Sequence, residues 1–461
     1  MDTRTNDRSM EMRDQKIGPL LLKFSWPAIV GMLVNSLYNV VDRIFVGRGI
    51  GHIAIAATTV AFPIMIAFFA VSMLIGIGAT ALISIRLGEQ NKDGAEKIAA
   101  NALLLLIILP LILTAIYYIS PDQILGLFGA EGEVLPYARD FTGIIVLGSV
   151  FGSISFGMNN FIRAEGNPRI AMLTQILGAL INILFNYIFI FKMGMGIKGS
   201  ALGTVLGQLI SAIWVISYFK SRYSVLKFKL ANFKPQISII LRIMAIGFAP
   251  FAMQIANSIQ QTILNKTLYY YGGDLALSAV GIIMSIATLL VMPVVGLSQG
   301  AQPLIGYNYG ARQYDRVKET LSKAVIAGIG IAAFGFLVMH IWPEQLVGLF
   351  SEEDIVLTSM TSKAMLTFFA LLPIVGFQIP CASYFQAVGK PVQSAILSLS
   401  RQVLFFIPLL IFLPRIWGIE GVWRTAPIAD ALSVMFTATF IYFEMRHLPS
   451  RKKAADASKV S

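Results

Sequence analysis

Charged residues are scarce in this chain. Only 13% of its 461 residues are Asp, Glu, Lys or Arg, whereas 56% are hydrophobic. A soluble domain carries about 25% charged residues, so this balance excludes an ordinary soluble protein and indicates a membrane protein. The formal net charge of +12 is spread between apolar runs rather than along one basic face. We therefore interpret it as loop charge and expect no nucleic-acid partner.

Cysteine and histidine are also rare. The single cysteine, Cys381, lies in an apolar run, so no intrachain disulfide can form. The three histidines, His52, His340 and His447, lie far apart and lack the spacing of metal ligands. The chain has no phosphate-binding loop of the Gly-x-x-x-x-Gly-Lys-Ser/Thr type, which argues against direct use of ATP. We expect no enzymatic activity and no cofactor.

Long apolar runs fill the rest of the sequence. Twelve of them reach the roughly 20 mostly apolar residues that a spanning helix needs, and all are too long for barrel strands. The predicted spans cover residues 19–45, 53–83, 98–118, 138–162, 168–192, 197–219, 237–268, 276–305, 320–342, 360–386, 391–414 and 420–445. The first run lacks a small-residue cleavage site and is expected to be a retained helix. The predicted fold class is an all-α membrane protein with twelve transmembrane helices.

The connections between these runs alternate in charge. Lys and Arg are concentrated in one set, of which residues 220–236 form the longest, while the other set includes acidic residues such as Asp122, Glu131 and Glu344. The positive-inside rule therefore puts the first set and both termini in the cytoplasm. We expect a multi-pass protein of the cell membrane that acts as a monomer in the lipid bilayer.

The chain repeats itself at a nearly constant offset. Gly88 matches Gly310 and Asp93 matches Asp315, both 222 residues later, and the match continues across six helices. Six is an even number, so the two halves enter the membrane from the same side as parallel repeats, a design in which transporters carry substrate between the halves. The predicted organisation is a tail at 1–16, a first lobe at 17–219, a linker at 220–236, a second lobe at 237–446 and a tail at 447–461.

Polar side chains occur inside the predicted spans of the first half. Helical spacing puts Asn35, Asn39 and Asp42 on one face of the first helix, and Asn182 and Asn186 on one face of the fifth, while Thr204 lies in the sixth. Carboxylate, amide and hydroxyl oxygens suit a hard cation such as sodium, and a lone carboxylate can also carry a proton. The repeat equivalents are apolar: Leu264 for Asp42, Leu404 or Phe405 for Asn182, Pro408 or Leu409 for Asn186, and Ala426 or Pro427 for Thr204. The set predicts a coupling-ion site, with a structural hydrogen-bond network as the alternative.

Other intramembrane groups are open to more than one interpretation. Arg401 and Asp430 fit a structural ion pair, attraction of a cationic substrate or a proton path. Candidates for the lining of a substrate cavity are Asn35, Tyr38, Met253, Gln254 and Gln261, together with the two charged residues. Gly199, Gly203, Gly207 and Ser211 form a stripe of small residues at four-residue spacing, which predicts close helix packing.

Several sequence motifs resemble the multidrug and toxin extrusion (MATE) family. They are Ser25-Trp-Pro-Ala-Ile-Val-Gly31, Ser36-Leu-Tyr-Asn-Val-Val-Asp42, Arg163-Ala-Glu-Gly-Asn-Pro168, Gly199-Ser-Ala-Leu-Gly-Thr204 and the segment from Gln299 to Asn308. The resemblance covers nearly the whole chain and is strongest to the prokaryotic DinF- and MepA-like branch. It implies two six-helix lobes around a V-shaped cleft, and export of amphipathic or cationic compounds driven by inward sodium or proton movement.

The resemblance also implies roles for particular residues. The ion site of this branch matches Asp42, Asn182 and Thr204, but the Asp that usually follows on the fifth helix is Asn186 here. This departure leaves Asp42 as the main titrating group, with sodium binding still possible at these four residues. The lead hypothesis is a secondary active multidrug antiporter. The alternative is a lipid-linked oligosaccharide flippase of the same superfamily, which would need a cationic cleft for which Arg401 and Arg424 are the candidates.

Overall fold

The computed structural model describes residues 11–349 and 355–449. Residues 1–10 of the predicted N-terminal tail and residues 450–461 of the predicted C-terminal tail lie outside the described residues. Within the described ranges, every regular element is a helix. The spanning helices are α1 (Ile17–Gly49), α2 (His52–Gly88), α3 (Lys92–Ile119), α4 (Val134–Ala164), α5 (Pro168–Lys192), α6 (Gly196–Lys220), α7 (237–272), α8 (274–310), α9 (Tyr314–Ile341), α10 (Ile355–Phe368 with Leu372–Ala387), α11 (Pro391–Trp417) and α12 (Ile419–His447).

Two stretches of helix do not correspond one to one with membrane spans. The stretch Ile237–Gly310 is helical over 74 residues except at Gly273, whose φ of 61° and ψ of −157° break it. An unbroken helix of that length would be ~110 Å long, several times the thickness of a bilayer core. We therefore count it as α7 and α8, while the two segments of α10, bent by 50°, form one span. The described residues thus contain twelve spans, and the predicted fold class is confirmed.

The internal repeat recurs in the backbone geometry. Positive φ angles occur at Gln90 and Arg312, which differ in side chain and lie 222 residues apart. Gly196 and Gly418 show the same offset with identical φ values of 56°. Gly51, in the connection between α1 and α2, corresponds at 222 to Gly273, which is independent support for ending α7 there. The two halves therefore share their turns as well as their helices.

Packing divides the chain into two compact units, and the divisions fall inside α1 and α7. Unit 1 contains Val30–Phe251, and unit 2 contains Lys16–Ile29 and the chain from Ala252 onward. Each unit thus includes the first part of a helix whose remainder belongs to the other unit. The lobe boundaries predicted from hydropathy remain a prediction, because these units are defined by packing and not by sequence halves.

Backbone contacts inside each unit explain this division. In unit 1, a methyl group added to Gly247 of α7 would lie 1.7 Å from the carbonyl oxygen of Leu74 in α2. In unit 2, a methyl group added to Gly300 of α8 would lie 2.6 Å from the Cα of Ser25 in α1. Ser25 and Gly247 are repeat equivalents at an offset of 222, so the same helix pair is formed once in each unit. Glycine permits this close backbone approach.

The linker at 220–236, which lies within unit 1, is held in place by two buried carboxylates. Glu165, between α4 and α5, accepts hydrogen bonds from the Tyr218 and Ser224 hydroxyls and from the backbone N–H groups of Val225 and Leu226. Burial raises the pKa of the Glu165 carboxyl, and these four donors oppose that shift. The Glu96 carboxylate likewise accepts a hydrogen bond from the backbone N–H of Lys227, at 3.2 Å. The linker is therefore held against the ends of α3 and α4.

Candidate functional site

Four polar side chains from α1, α5 and α6 form one connected hydrogen-bonded group inside unit 1. Asn186 Nδ2 donates to Asp42 Oδ1 at 2.5 Å and to Asn182 Oδ1 at 3.3 Å. Asn182 Nδ2 in turn donates to Thr204 Oγ1 at 3.1 Å. Both asparagines are buried. Four of the five residues predicted as an ion-coupling set are thus brought together, and the fifth, Asn39, is not among them. We name Asp42, Asn182, Asn186 and Thr204 the Asp42 cluster.

The glycine stripe on α6 makes room for the Asp42 cluster. A methyl group added to Gly203 would lie 2.2 Å from Asn186 Oδ1, and one added to Gly207 would lie 3.2 Å from Asn182 Cβ. The stripe was predicted to serve close helix packing. The contacts of Gly207, whose added methyl would lie 2.9 Å from the Gly178 carbonyl oxygen of α5, agree with that interpretation. At Gly203 the same feature also fixes the position of a cluster side chain.

We expect Gly203→Ala to reduce gradient-driven export strongly without unfolding the protein. The new methyl group would lie 2.2 Å from Asn186 Oδ1 and 2.9 Å from the Asn186 backbone nitrogen, so Asn186 would be displaced from its bond to Asp42. Displacements of about 1 Å in a site can cost about 100-fold in rate. Export rates in vesicles containing equal amounts of protein would measure the effect. Gly330→Ala in α9 is the matched control, because a methyl group there would meet open space. Equal loss in both variants, or full activity in Gly203→Ala, would contradict this role.

One oxygen of the Asp42 cluster is left without a hydrogen-bond donor. Asn186 uses its Nδ2 for Asp42 and Asn182, and its buried Oδ1 has no partner among the described residues. The buried Ser200 of α6 also lies near the Asp42 carboxylate, and its hydroxyl has no hydrogen-bond partner among the described residues. Ser200 was missed as a site residue, although its position one helical turn before Thr204 could have indicated it.

The cluster contains one carboxylate, and its other oxygens belong to two neutral amides and one hydroxyl. Across the described residues, no three side chains of the His, Cys, Asp and Glu types converge as ligands of a metal ion. A single negative charge with amide and hydroxyl oxygens can be neutralised by one proton on Asp42 or by one sodium ion held by these oxygens. The arrangement therefore suits exchange of one monovalent positive charge at a time.

The remaining predicted residues do not join this hydrogen-bonded group in the same way. Asn39 is exposed and donates to the backbone carbonyl of Asn35 one turn earlier, at 2.7 Å. Gln261 donates to Asn265 on its own helix at 2.8 Å. The other cavity candidates, Asn35, Tyr38, Met253 and Gln254, are half-buried. Their assignment to a substrate cavity remains a prediction.

The two charged residues predicted in the second half form an ion pair inside unit 2. Arg401 Nε lies 2.5 Å from Asp430 Oδ1, with 3% of the Asp430 side chain and 25% of the Arg401 side chain exposed. Arg401 belongs to a π-helical segment of α11, Ser400–Phe406. Such segments insert an extra residue per turn and change the direction of the side chains that follow. Arg424, the other cationic candidate, lies over the Trp417 ring at 5.2 Å.

Comparison with known proteins gives a consistent result across sequence and structure. The MatE family model matches residues 27–188 and 249–412, one stretch in each half of the chain. A multidrug export protein MepA of Staphylococcus haemolyticus is 28% identical over 96% of this chain and 97% of its own length. A MepA of Staphylococcus aureus is 26% identical over 92% of this chain and 93% of its own.

Solved structures show the same fold. A crystal structure of a MATE protein in complex with MaL6 superimposes with a TM-score of 0.91 at 23% identity, covering 97% of this chain and 99% of that one. An outward-facing multidrug resistance MATE transporter of the MOP superfamily superimposes with a TM-score of 0.88 at 24% identity, covering 93% and 96%.

Proposed function

This chain belongs to the MatE family, and from that premise we propose that it exports amphipathic cationic compounds in exchange for protons or sodium ions. It is a transporter and not an enzyme, as are the multidrug export proteins that it resembles along their whole length. The observation that supports ion coupling is the Asp42 cluster, in which one carboxylate bonds to a buried asparagine of another helix. An intramembrane carboxylate is costly to bury and is therefore a candidate for function.

The coupling step follows from the hydrogen bonds of Asp42. As a carboxylate, Asp42 accepts from Asn186 Nδ2 and thereby joins the second part of α1 to α5. Protonation gives Asp42 a donor of its own, and a sodium ion would instead draw the carboxylate and the Asn186 Oδ1 together. Either event changes the contact between α1 and α5. The transporter then favours the state with lower affinity for the exported compound, because a bound ion shifts the equilibrium between two states only through such differential contacts.

The proposal includes the placement of the protein. The basic connections, including the linker at 220–236, would face the cytoplasm with both termini, and the ion would enter the Asp42 cluster from the opposite side. We propose a cell-membrane protein that acts as a monomer, since each chain contains one complete set of coupling residues.

The decisive test is ethidium export from proteoliposomes in which a pH gradient and a sodium gradient are imposed separately. We expect one of the two gradients to drive export. With the other gradient, export should stay at the level of controls in which no gradient is imposed. A result in which neither gradient drives ethidium movement would overturn the proposal. Translocation of a lipid-linked oligosaccharide without ion dependence would overturn it as well.

A further inference from the structure

Helices α1 and α5 run side by side in a constant register. At one end of their contact Asp42 pairs with Asn186, and at the other end Gly31 lies against Gln175. Both pairs differ by 144 in residue number, so the two helices are parallel and in step over eleven residues. At about 1.5 Å per residue this contact is about 16 Å long, roughly half the thickness of a bilayer core.

Polar side chains occur along both sides of this contact. On α1, positions 31, 35, 38 and 42 fall on one helical face, which carries Asn35 and Tyr38 between the two end residues. On α5, positions 175, 182 and 186 fall on one face in the same way. The register puts Tyr38 opposite Asn182. We call this face-to-face set the α1–α5 polar track.

At the end of the track away from Asp42 lies the side-chain amide oxygen of Gln175, Oε1, which is buried and accepts no hydrogen bond from the described residues. It lies directly against Gly31, where an added methyl group would lie 1.8 Å from that oxygen and would require the Gln175 side chain to move. This amide oxygen therefore has its acceptor capacity free, and its place at the end of the track distinguishes it from other unpaired oxygens such as Gln208 Oε1.

We propose that the α1–α5 polar track is the path by which the coupling cation leaves the Asp42 cluster toward the cytoplasm, with Gln175 Oε1 as its last protein ligand. This inference rests on the proposed function. The partial negative charge of the amide oxygen stabilises a hydrated monovalent cation in transit, and the amide does so without holding the ion as a carboxylate would. Gly31 leaves the space that the Gln175 amide oxygen occupies.

The test uses Gln175→Leu and Gly31→Ala in the full-length protein. Leucine removes the oxygen at similar volume, and because the oxygen has no partner its removal leaves no other buried group unpaired. Alanine at position 31 displaces the Gln175 side chain. We expect both variants to slow gradient-driven ethidium export about tenfold, because release of the ion becomes slower. Ethidium binding in detergent and ethidium exchange without an ion gradient should stay within about twofold of wild type, since neither requires ion release.

Gln208→Leu is the matched control. Gln208 in α6 is also half-buried with an unpartnered Oε1, but it lies against Gly152 of α4, outside the track. We expect this variant to export at the wild-type rate. The inference is overturned if Gln175→Leu exports normally, if Gln208→Leu loses as much as Gln175→Leu, or if ethidium exchange falls in parallel with export. The proton and sodium arms of the experiment show which cation uses the path.

Failure of the two proposals can be told apart. If wild-type protein shows no gradient-driven export, the proposed function fails and the variants are not needed. If wild-type protein exports ethidium and Asp42→Asn does not, while Gln175→Leu and Gly31→Ala match wild type, the coupling site stands and the path through α1 and α5 is wrong.

Discussion

Replacing Asp42 with asparagine is expected to abolish gradient-driven export while the protein remains folded. Asparagine has nearly the same shape and keeps an oxygen that can accept from Asn186 Nδ2, so the link between α1 and α5 survives. It has neither a charge for sodium nor a site for a titrating proton. Because Asp42 is the only carboxylate in its cluster, no neighbouring acid can replace it. We expect a loss of at least about 100-fold in ethidium export from proteoliposomes, which corresponds to about 2.7 kcal/mol.

A matched control is available within the same unit. Asp140 in α4 is 46% exposed and pairs with Lys198 at 3.2 Å, an arrangement that contributes little at a surface. Asp140→Asn should therefore export at close to the wild-type rate. Ethidium binding by Asp42→Asn in detergent should persist, which would show that the variant is folded. If Asp42→Asn retained gradient-driven export, the coupling role of the cluster would be refuted.

Helical periodicity predicted the parts of the site that lie on a single helix. The spacing of Asn182 and Asn186 was sufficient to put them on one face, and both are in the cluster. The same argument put Asn39 on the face of Asp42, yet Asn39 bonds to its own backbone instead. Periodicity gives the direction of a side chain only to within part of a turn, and an amide can always use the carbonyl of the preceding turn in place of a partner on another helix.

Contacts between helices could not be predicted from the sequence. Gln175 has no polar neighbour at helical spacing on its C-terminal side until Asn182, and only the register of α1 against α5 shows that it faces Gly31. Gly203 was recognised as a packing residue, but its contact with Asn186 depends on how closely α5 and α6 approach. The division of α1 and α7 between the two units likewise depends on backbone approach at Gly247 and Gly300, which hydropathy does not report.

The repeat gives one symmetric scaffold and one asymmetric site. Backbone angles at Gln90 and Arg312 match although their side chains differ, so the turns are preserved independently of side-chain chemistry. The Asp42 cluster, in contrast, has the apolar Leu264 at the position equivalent to its carboxylate. Unit 2 contains the Arg401–Asp430 pair instead, on α11 and α12 and not at the positions equivalent to the cluster. The positive charge of Arg401 balances the negative charge of Asp430, so the pair has no net charge with which to bind a coupling cation. This favours the structural interpretation of the pair.

Removing one charge of this pair is therefore expected to destabilise the protein. Removing both charges is expected to restore its stability. Asp430 is 3% exposed, so Arg401→Met leaves a buried carboxylate unpaired at a cost of about 3–5 kcal/mol. The double variant Arg401→Met with Asp430→Leu leaves no charge behind, and replacing a buried pair by apolar residues is often neutral. Thermal unfolding in detergent should show a large loss for the single variant and recovery for the double one.

Transport by the double variant then separates structure from mechanism. If the pair only joins α11 to α12, the double variant exports ethidium at close to the wild-type rate, because the Asp42 cluster in unit 1 is untouched. Lys323→Met, which breaks an exposed pair with Glu319 on one helix of the same unit, should change stability by about 0.5 kcal/mol or less. A double variant that is as stable as wild type yet does not export would refute the structural assignment, and would place Arg401 and Asp430 in the path of the proton or the substrate.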